Sequence, residues 1–344
     1  MALSSRFGGV LLGAMFTLAG CGPPYVGSGN VATPKMQQSA AMRSGPTRPG
    51  RLSVLGFWAH SQALPLSVLA ANSQAVSILS PFWYSLDAQG VLHAKVDQGL
   101  LQVARQKRMK ITPLVNDGTG TQAFLASPAT RMRAVQEIDR MISSMGFQGV
   151  NIDFEPPHTR TKRELTSFFV QLRDTLPKTD SITLDVVPYS GGAYDYPSLA
   201  PEVNAFALMS YDQHSPGTTP GPVAALNWVE RVETRLRREV PSSKIYLGIA
   251  LYGYAWTADS LNAATVPHAA IPAAVKAHAV WNARYQEMTS VVGAQTFWWE
   301  NRRSIAQKIA LAHRDHLAGV ALWDVGYADK AVYRLLLRQI GPAA

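Results

Sequence analysis

The chain has 344 residues, 47% hydrophobic and 16% charged, which is too apolar for a disordered or fibrous protein and enough to bury a large core. Lys and Arg outnumber Asp and Glu by 32 to 23, and the net charge of +9 favours anionic surroundings, whether nucleic acid, lipid headgroups or an acidic polymer. One cysteine excludes an internal disulfide framework and any multi-cysteine metal site.

Arg6 and the apolar run over 10–18 read as the n- and h-regions of an export signal, since the run is too short to span a bilayer. It ends in Leu18-Ala19-Gly20-Cys21, which resembles the lipobox of bacterial lipoproteins. That resemblance implies a signal peptide over 1–20, removed by cleavage before Cys21, and acylation of Cys21. Gly22 follows without the Asp that favours inner-membrane retention, so an outer-membrane or periplasmic place in the bacterial cell envelope is preferred. Residues 21–50 form the acylated cysteine and a flexible linker, rich in Gly, Pro, Ser and Gln, with a reach of roughly 30 Å. The folded body is expected over 51–344.

Apolar or β-branched runs at 53–58, 75–80, 110–115, 149–154, 182–187, 205–210, 244–251 and 319–323 predict strands. Their near-continuous hydrophobicity suits strands covered on both faces. Between them, Ser127 and Pro128 read as an N-cap and first helical residue, and Met132, Val135, Ile138, Ile142 and Met145 repeat at helical spacing until Gly146. A second helix over 161–176 carries Leu165, Phe168, Phe169 and Leu172 and stops at Pro177. This alternation predicts a (β/α)8 TIM barrel. A doubly wound open sheet is the alternative, but no Gly-x-Gly-x-x-Gly turn or phosphate loop follows the first strand. Weaker strand signals at 279–281, 289–292 and 295–299 predict a small insertion between strands seven and eight.

Barrel chemistry sits where strands end at the C-terminal face. On the fourth strand Asn151, Asp153 and Glu155 are two apart, so alternation sends them to one face and Val150, Ile152 and Phe154 to the other. Two carboxylates held that close cannot both ionise cheaply. One has its pKa raised and can serve as the acid that glycoside hydrolysis needs near neutrality. A bare Asp-x-Glu is more often a charged strand end turning into a loop, and here the neighbouring motifs decide.

Gly149-Val150-Asn151-Ile152-Asp153-Phe154-Glu155 resembles the Asp-Gly-x-Asp-x-Asp-x-Glu signature of glycoside hydrolase family 18. It is most similar to the branch of spore-germination and cortex-lytic N-acetylglucosaminidases, in which Asn-Ile-Asp-Phe-Glu is usual. Met209-Ser210-Tyr211-Asp212-Gln213-His214 resembles that branch's sixth-strand motif. The run from Leu247 to Trp256 matches its seventh strand, and Gly319-Val320-Ala321-Leu322-Trp323 its eighth. The resemblance implies a retaining, substrate-assisted reaction in which the sugar's 2-acetamido oxygen attacks the anomeric carbon to give an oxazolinium ion. Glu155 is then implied as general acid and later base, Asp153 as partner of the acetamido N–H, and Tyr211 as holder of its carbonyl. Asp212 is implied beside Tyr211, and Trp323 as the apolar floor under the sugar. Asn151 stands where the broad family has Asp; it removes one charge from the cluster and with it some of the repulsion acting on Glu155. The branch's insertion forms one wall of the cleft, and its compactness here predicts an open groove.

Trp58 and Tyr252, with Phe82, Trp83, Tyr84, Tyr189, Tyr254 and Trp256, lie at or beyond strand ends and as a set would line a groove, although each is as readily core. No cofactor or metal is expected: His313 and His316 lie three apart with no apparent third ligand. Arg231, Arg235, Arg237 and Arg238, interleaved with Glu230, Glu233 and Glu239, read as an exposed, salt-bridged helix, and no basic aromatic face suits nucleic acid. The expected partner is a glycan containing N-acetylglucosamine, peptidoglycan first and chitin oligosaccharides second. It is met by a monomer held to the membrane by its lipid anchor, with the tether replacing a binding module. A lectin-like barrel that binds such sugars without cutting them, and a scaffold with a vestigial cleft, are the alternatives.

Overall fold

The computed structural model describes residues 51–59, 64–155 and 158–341; the expected signal peptide, Cys21 and the expected linker lie outside the described residues. The chain runs through β1 (Ser53–Trp58), β2 (Ile78–Leu86), β3 (Leu114–Asp117), β4 (Gly149–Asp153), β5 (Ser181–Val186), β6 (Ala205–Leu208) and β7 (Ile245–Ala250). An inserted sheet follows, made of β8 (Tyr252–Thr257), β9 (Ala263–Pro267), β10 (Val280–Asn282), β11 (Glu287–Val292) and β12 (Gln295–Trp299), before β13 (Gly319–Trp323). Strands β1 to β7 and β13 pair in parallel with their neighbours. Because β1 pairs with both β13 and β2, the ring closes into an eight-stranded barrel.

A helix follows each barrel strand: α1 (Leu66–Ala71), α2 (Gln98–Gln106), α3 (Pro128–Met145), α4 (Lys162–Thr175), α5 (Tyr196–Leu199), α6 (Leu226–Leu236), α7 (Arg302–Arg314) and α8 (Lys330–Gln339). The third shows why. The Ser127 hydroxyl accepts from the Thr130 N–H at 3.1 Å, Pro128 opens the first turn, and Gly146 ends the helix in the left-handed conformation at φ 67°. Val135, Ile138 and Ile142 are its buried stripe. Leu165, Phe168, Phe169 and Leu172 of α4 face the sheet, where Phe168 meets Phe154 with ring centroids 5.4 Å apart. Among the described residues no helix is long and apolar enough to cross a membrane.

Several boundaries differ from the sequence expectation for local reasons. Strand β2 starts at Ile78 because Ser73–Ala75 forms a 3-10 turn. The run over 110–115 breaks at Thr112 and Pro113, where proline lacks an N–H and its carbonyl instead accepts from Asn151 N at 3.0 Å. The seventh barrel strand ends at Ala250, so Tyr252 to Trp256 belong to the inserted sheet and not to the barrel. That sheet has five strands where three were signalled. Nor is α6 wholly exposed: Glu233 is buried against Arg237, and Arg314 bridges Glu230 and Asp315, each at 2.9 Å.

A buried polar cluster ties the insertion to the barrel. Glu287 of β11 accepts from Val223 N at 2.8 Å and Ala224 N at 2.5 Å in the loop before α6. Glu300, beyond β12, pairs with Lys308 of α7, and all three side chains are fully buried. Burial, and next the charge of Glu300, push the Glu287 carboxyl up to about 8.

Candidate active site

The site begins with a glycine. Gly149 opens β4 at φ 136°, and a Cβ there would lie 2.0 Å from the Ser181 carbonyl oxygen. This close approach sets the register of β4 on β5, with Asn151 opposite Thr183 and Ile152 opposite Leu184. The next step brings Asp153 level with Asp185. Asn151, Asp153 and Asp185 face the barrel interior and are buried, while Val150, Ile152 and Phe154 pack outward into the helix layer.

Asn151 Nδ2 donates to Asp185 Oδ2 at 2.7 Å. Asn151 Oδ1, Asp153 Oδ1 and Asp185 Oδ1 are buried without a hydrogen-bond partner. Burial raises the Asp153 carboxyl well above the usual range, and the neighbouring charges of Glu155 and Asp185 and a hydrogen bond with Glu155 add to it. Burial raises Asp185 likewise, opposed by its hydrogen bond from Asn151. Glu155 is different in exposure: its side chain opens to solvent at the barrel mouth. The surrounding protein wall still raises its pKa by desolvation, against the hydrogen bond with Asp153. Burial thus shifts each of these carboxyls toward its protonated form.

Beyond β6, Tyr211 is buried, and burial first, then the nearby Asp185 and Asp212 charges, hold its hydroxyl neutral well above the ordinary tyrosine range. Asp212 adopts a left-handed backbone at φ 59°, a strain of about 1–3 kcal/mol for a residue other than glycine. Its carboxylate accepts from the Tyr252 hydroxyl and from the Tyr254 hydroxyl at 2.8 Å. Half-buried Trp323 ends β13 against Phe57, with centroids 5.2 Å apart. The Asp324 carboxylate behind it accepts from Ala59 N and Gly326 N, both at 2.6 Å, joining the ends of β1 and β13.

Trp58, Tyr252 and Asn151 offer little surface to a sugar. Trp58 is 5% exposed and lies on the outer face of β1 with Gly56, whose missing Cβ would meet Val76 and Val325; the inward position belongs to Phe57. Tyr252 is 3% exposed and commits its hydroxyl to Asp212, so it holds a neighbour in place. Asn151 has no exposed surface and lies beneath the acids. Trp83 and Tyr84 also face outward, against Phe147, whereas Tyr189 stands 57% exposed beside Trp228 and Arg235.

Two residues escaped the sequence reading. Asp185 is an acid inside an apolar strand, a pattern that is costly unless the side chain enters a polar site, and that cost was the available signal. Gln122, also buried, had none: its Nε2 donates to the Phe154 carbonyl at 3.2 Å, and its Oε1 accepts from Thr161 at 2.9 Å, which braces the chain just before Glu155. Asp117 Oδ2 accepts from Gln122 N at 2.5 Å and fixes that brace to β3.

A closed parallel barrel with closely set carboxyls at its C-terminal mouth is an arrangement suited to glycoside hydrolysis. Residues 96–328 match the family described as glycosyl hydrolases family 18, and the chain belongs to that family. It is similar to a Bacillus subtilis (strain 168) protein named as a sporulation-specific glycosylase, 29% identical over 72% of this chain and 66% of that protein. It is also similar to the cortical fragment-lytic enzyme of Bacillus subtilis (strain 168), 24% identical over 78% of this chain and 68% of that enzyme. The chain thus spans about two thirds of the length of these relatives. Its fold is similar to that of a chitinase from Chromobacterium violaceum, with a TM-score of 0.77 and 23% identity over 84% of this chain and 99% of the other.

Proposed function

We propose that the chain is a retaining hydrolase of β-linked N-acetylglucosamine glycans, peptidoglycan first and chitin oligosaccharides second. The observation that carries this reading is the hydrogen-bonded Asp153 and Glu155 pair at the barrel mouth, both raised by burial. Glu155 donates its proton to the glycosidic oxygen as the bond to the anomeric carbon breaks. The substrate's acetamido carbonyl oxygen closes on that carbon, giving an oxazolinium ion. Glu155, now a carboxylate, takes a proton from water, whose oxygen opens the ring with retained configuration.

Asp153 meets the acetamido N–H, the neutral Tyr211 hydroxyl donates to the acetamido carbonyl, and Trp323 supports the sugar face. Asp212, oriented by Tyr252 and Tyr254, lies next to Tyr211. The lipobox reading adds an envelope location: acylated Cys21 and the linker keep the barrel near its polymer.

The test incubates the purified chain and its Glu155→Gln variant with peptidoglycan and with chitin oligosaccharides, and identifies new reducing ends by mass spectrometry. Fragments ending in N-acetylglucosamine, produced by the native chain alone, support the reading. Retention of either glycan by both proteins without cleavage replaces it with a lectin-like one.

A further inference from the structure

We infer that Asp185 is a positioning residue for the proposed hydrolysis: it grips the Asn151 amide and shares with Asp153 one proton, which Asp153 donates toward Glu155 once Glu155 has ionised. The inference rests on the functional reading above, and it concerns a residue outside the Asn151, Asp153 and Glu155 series.

The geometry carries the argument. Asp185 lies one strand over from β4, level with Asp153, and is 2% exposed. One of its oxygens is occupied by Asn151 Nδ2 at 2.7 Å; an amide N–H donates, so that oxygen accepts. Its other oxygen is buried without a partner, as is Asp153 Oδ1. Buried oxygens are seldom left unpaired, and two adjacent buried carboxyls cannot both ionise cheaply. At rest, one proton held between these two free oxygens answers both requirements, as in other carboxyl pairs that share a proton. The titratable groups facing Asp185 are Asp153 from β4, Glu155 just beyond it and Tyr211 from beyond β6; none is a cation that would stabilise two charges.

The asymmetry decides where the charge rests. Asn151 offers its N–H to Asp185, which favours the carboxylate there and leaves the proton on Asp153. When Glu155 gives its proton to the leaving oxygen, Asp153 donates to the new carboxylate, and the pair keeps its single negative charge toward the developing cation. When Glu155 recovers a proton from water, the starting arrangement returns. No proton leaves the pair.

The test uses the full chain in three forms: native, Asp185→Asn, and the exchange Asn151→Asp with Asp185→Asn, which swaps acid and amide across one hydrogen bond. Asp185→Asn is nearly isosteric, so a packing role alone leaves the pH dependence of kcat unmoved. The inference expects kcat to fall about tenfold or more and the pH profile to move by about one unit or more, with both recovering toward native in the exchange. An unmoved profile in Asp185→Asn, or no recovery in the exchange, overturns it.

A second readout needs no substrate. A buried carboxyl whose folded pKa is raised contributes stability that is full below about pH 4 and is lost as pH rises toward the folded value. The native Tm should therefore fall more steeply with rising pH than that of Asp185→Asn, and equal slopes count against the inference. If the native chain cuts no glycan, the functional reading fails on its own, and this stability comparison alone decides whether the carboxyl pair exists.

Discussion

Glu155 is the residue on which the proposed chemistry turns, and its surroundings say how it is held. Desolvation in the barrel wall raises its pKa, and its backbone is braced through Phe154 by Gln122. Glu155→Gln keeps the shape and removes the proton, so kcat should fall by about 10²–10⁴, checked by reducing-end release at saturating glycan. Gln122→Ala leaves every reacting group in place but frees the Phe154 carbonyl and Thr161; kcat should drop while KM moves little, which steady-state kinetics will read. Because the raised carboxyl of Glu155 must be protonated to act as the acid, activity should decline as pH rises past it. At this scale the sequence was informative where alternation applied. Asn151 and Asp153 lie on the inner face, with Glu155 just beyond the strand, whereas composition cannot tell which of the adjacent large aromatics Phe57 and Trp58 points inward; it is Phe57. Asp185 and Gln122 reach the site from β5 and the loop after β3, contacts that no local spacing encodes.

The elements were legible where a local signal ended them. Ser127, Pro128 and Gly146 bounded α3 correctly, and the first and eighth barrel strands were found at their full length, because caps and continuous apolar runs are written in neighbouring residues. The inserted sheet was under-read because β8 continues the apolar pattern of β7 across Leu251, and β9 is a short edge strand that opens on two alanines, ends in proline and pairs with β8. Its attachment depends on the buried trio Glu287, Glu300 and Lys308. Lys308→Met would leave buried carboxyls without their cation, and should cost about 3–5 kcal/mol in denaturant unfolding. The Glu287 carboxyl, held up to about 8, gives a signed pH effect: the stability it contributes is present at low pH and lost as pH rises through about 8. Thermal melts between pH 6 and about 9 should show that decline in the native chain and a flatter curve in Glu287→Gln. Gly149→Ala should be strongly destabilising, since the added carbon strikes the Ser181 carbonyl and the backbone stands at φ 136°.

For the molecule as a whole, closure of the barrel and clustering of acids at one mouth make a single reacting centre, and the insertion adds a wall bearing Tyr252 and Tyr254. The proposed anchor lies at the other end of the chain. If Cys21 is acylated, a labelled fatty acid should be incorporated by cells expressing the native chain and not by cells expressing Cys21→Ser, while the purified variant keeps its activity on soluble glycan. The central claim is that the substrate's own acetamido group attacks the anomeric carbon with Glu155 as acid. It is tested most directly by proton NMR of the first reducing ends released from a β-linked N-acetylglucosamine oligosaccharide, read before mutarotation. The account predicts that the β anomer appears first; initial release of the α anomer would contradict it.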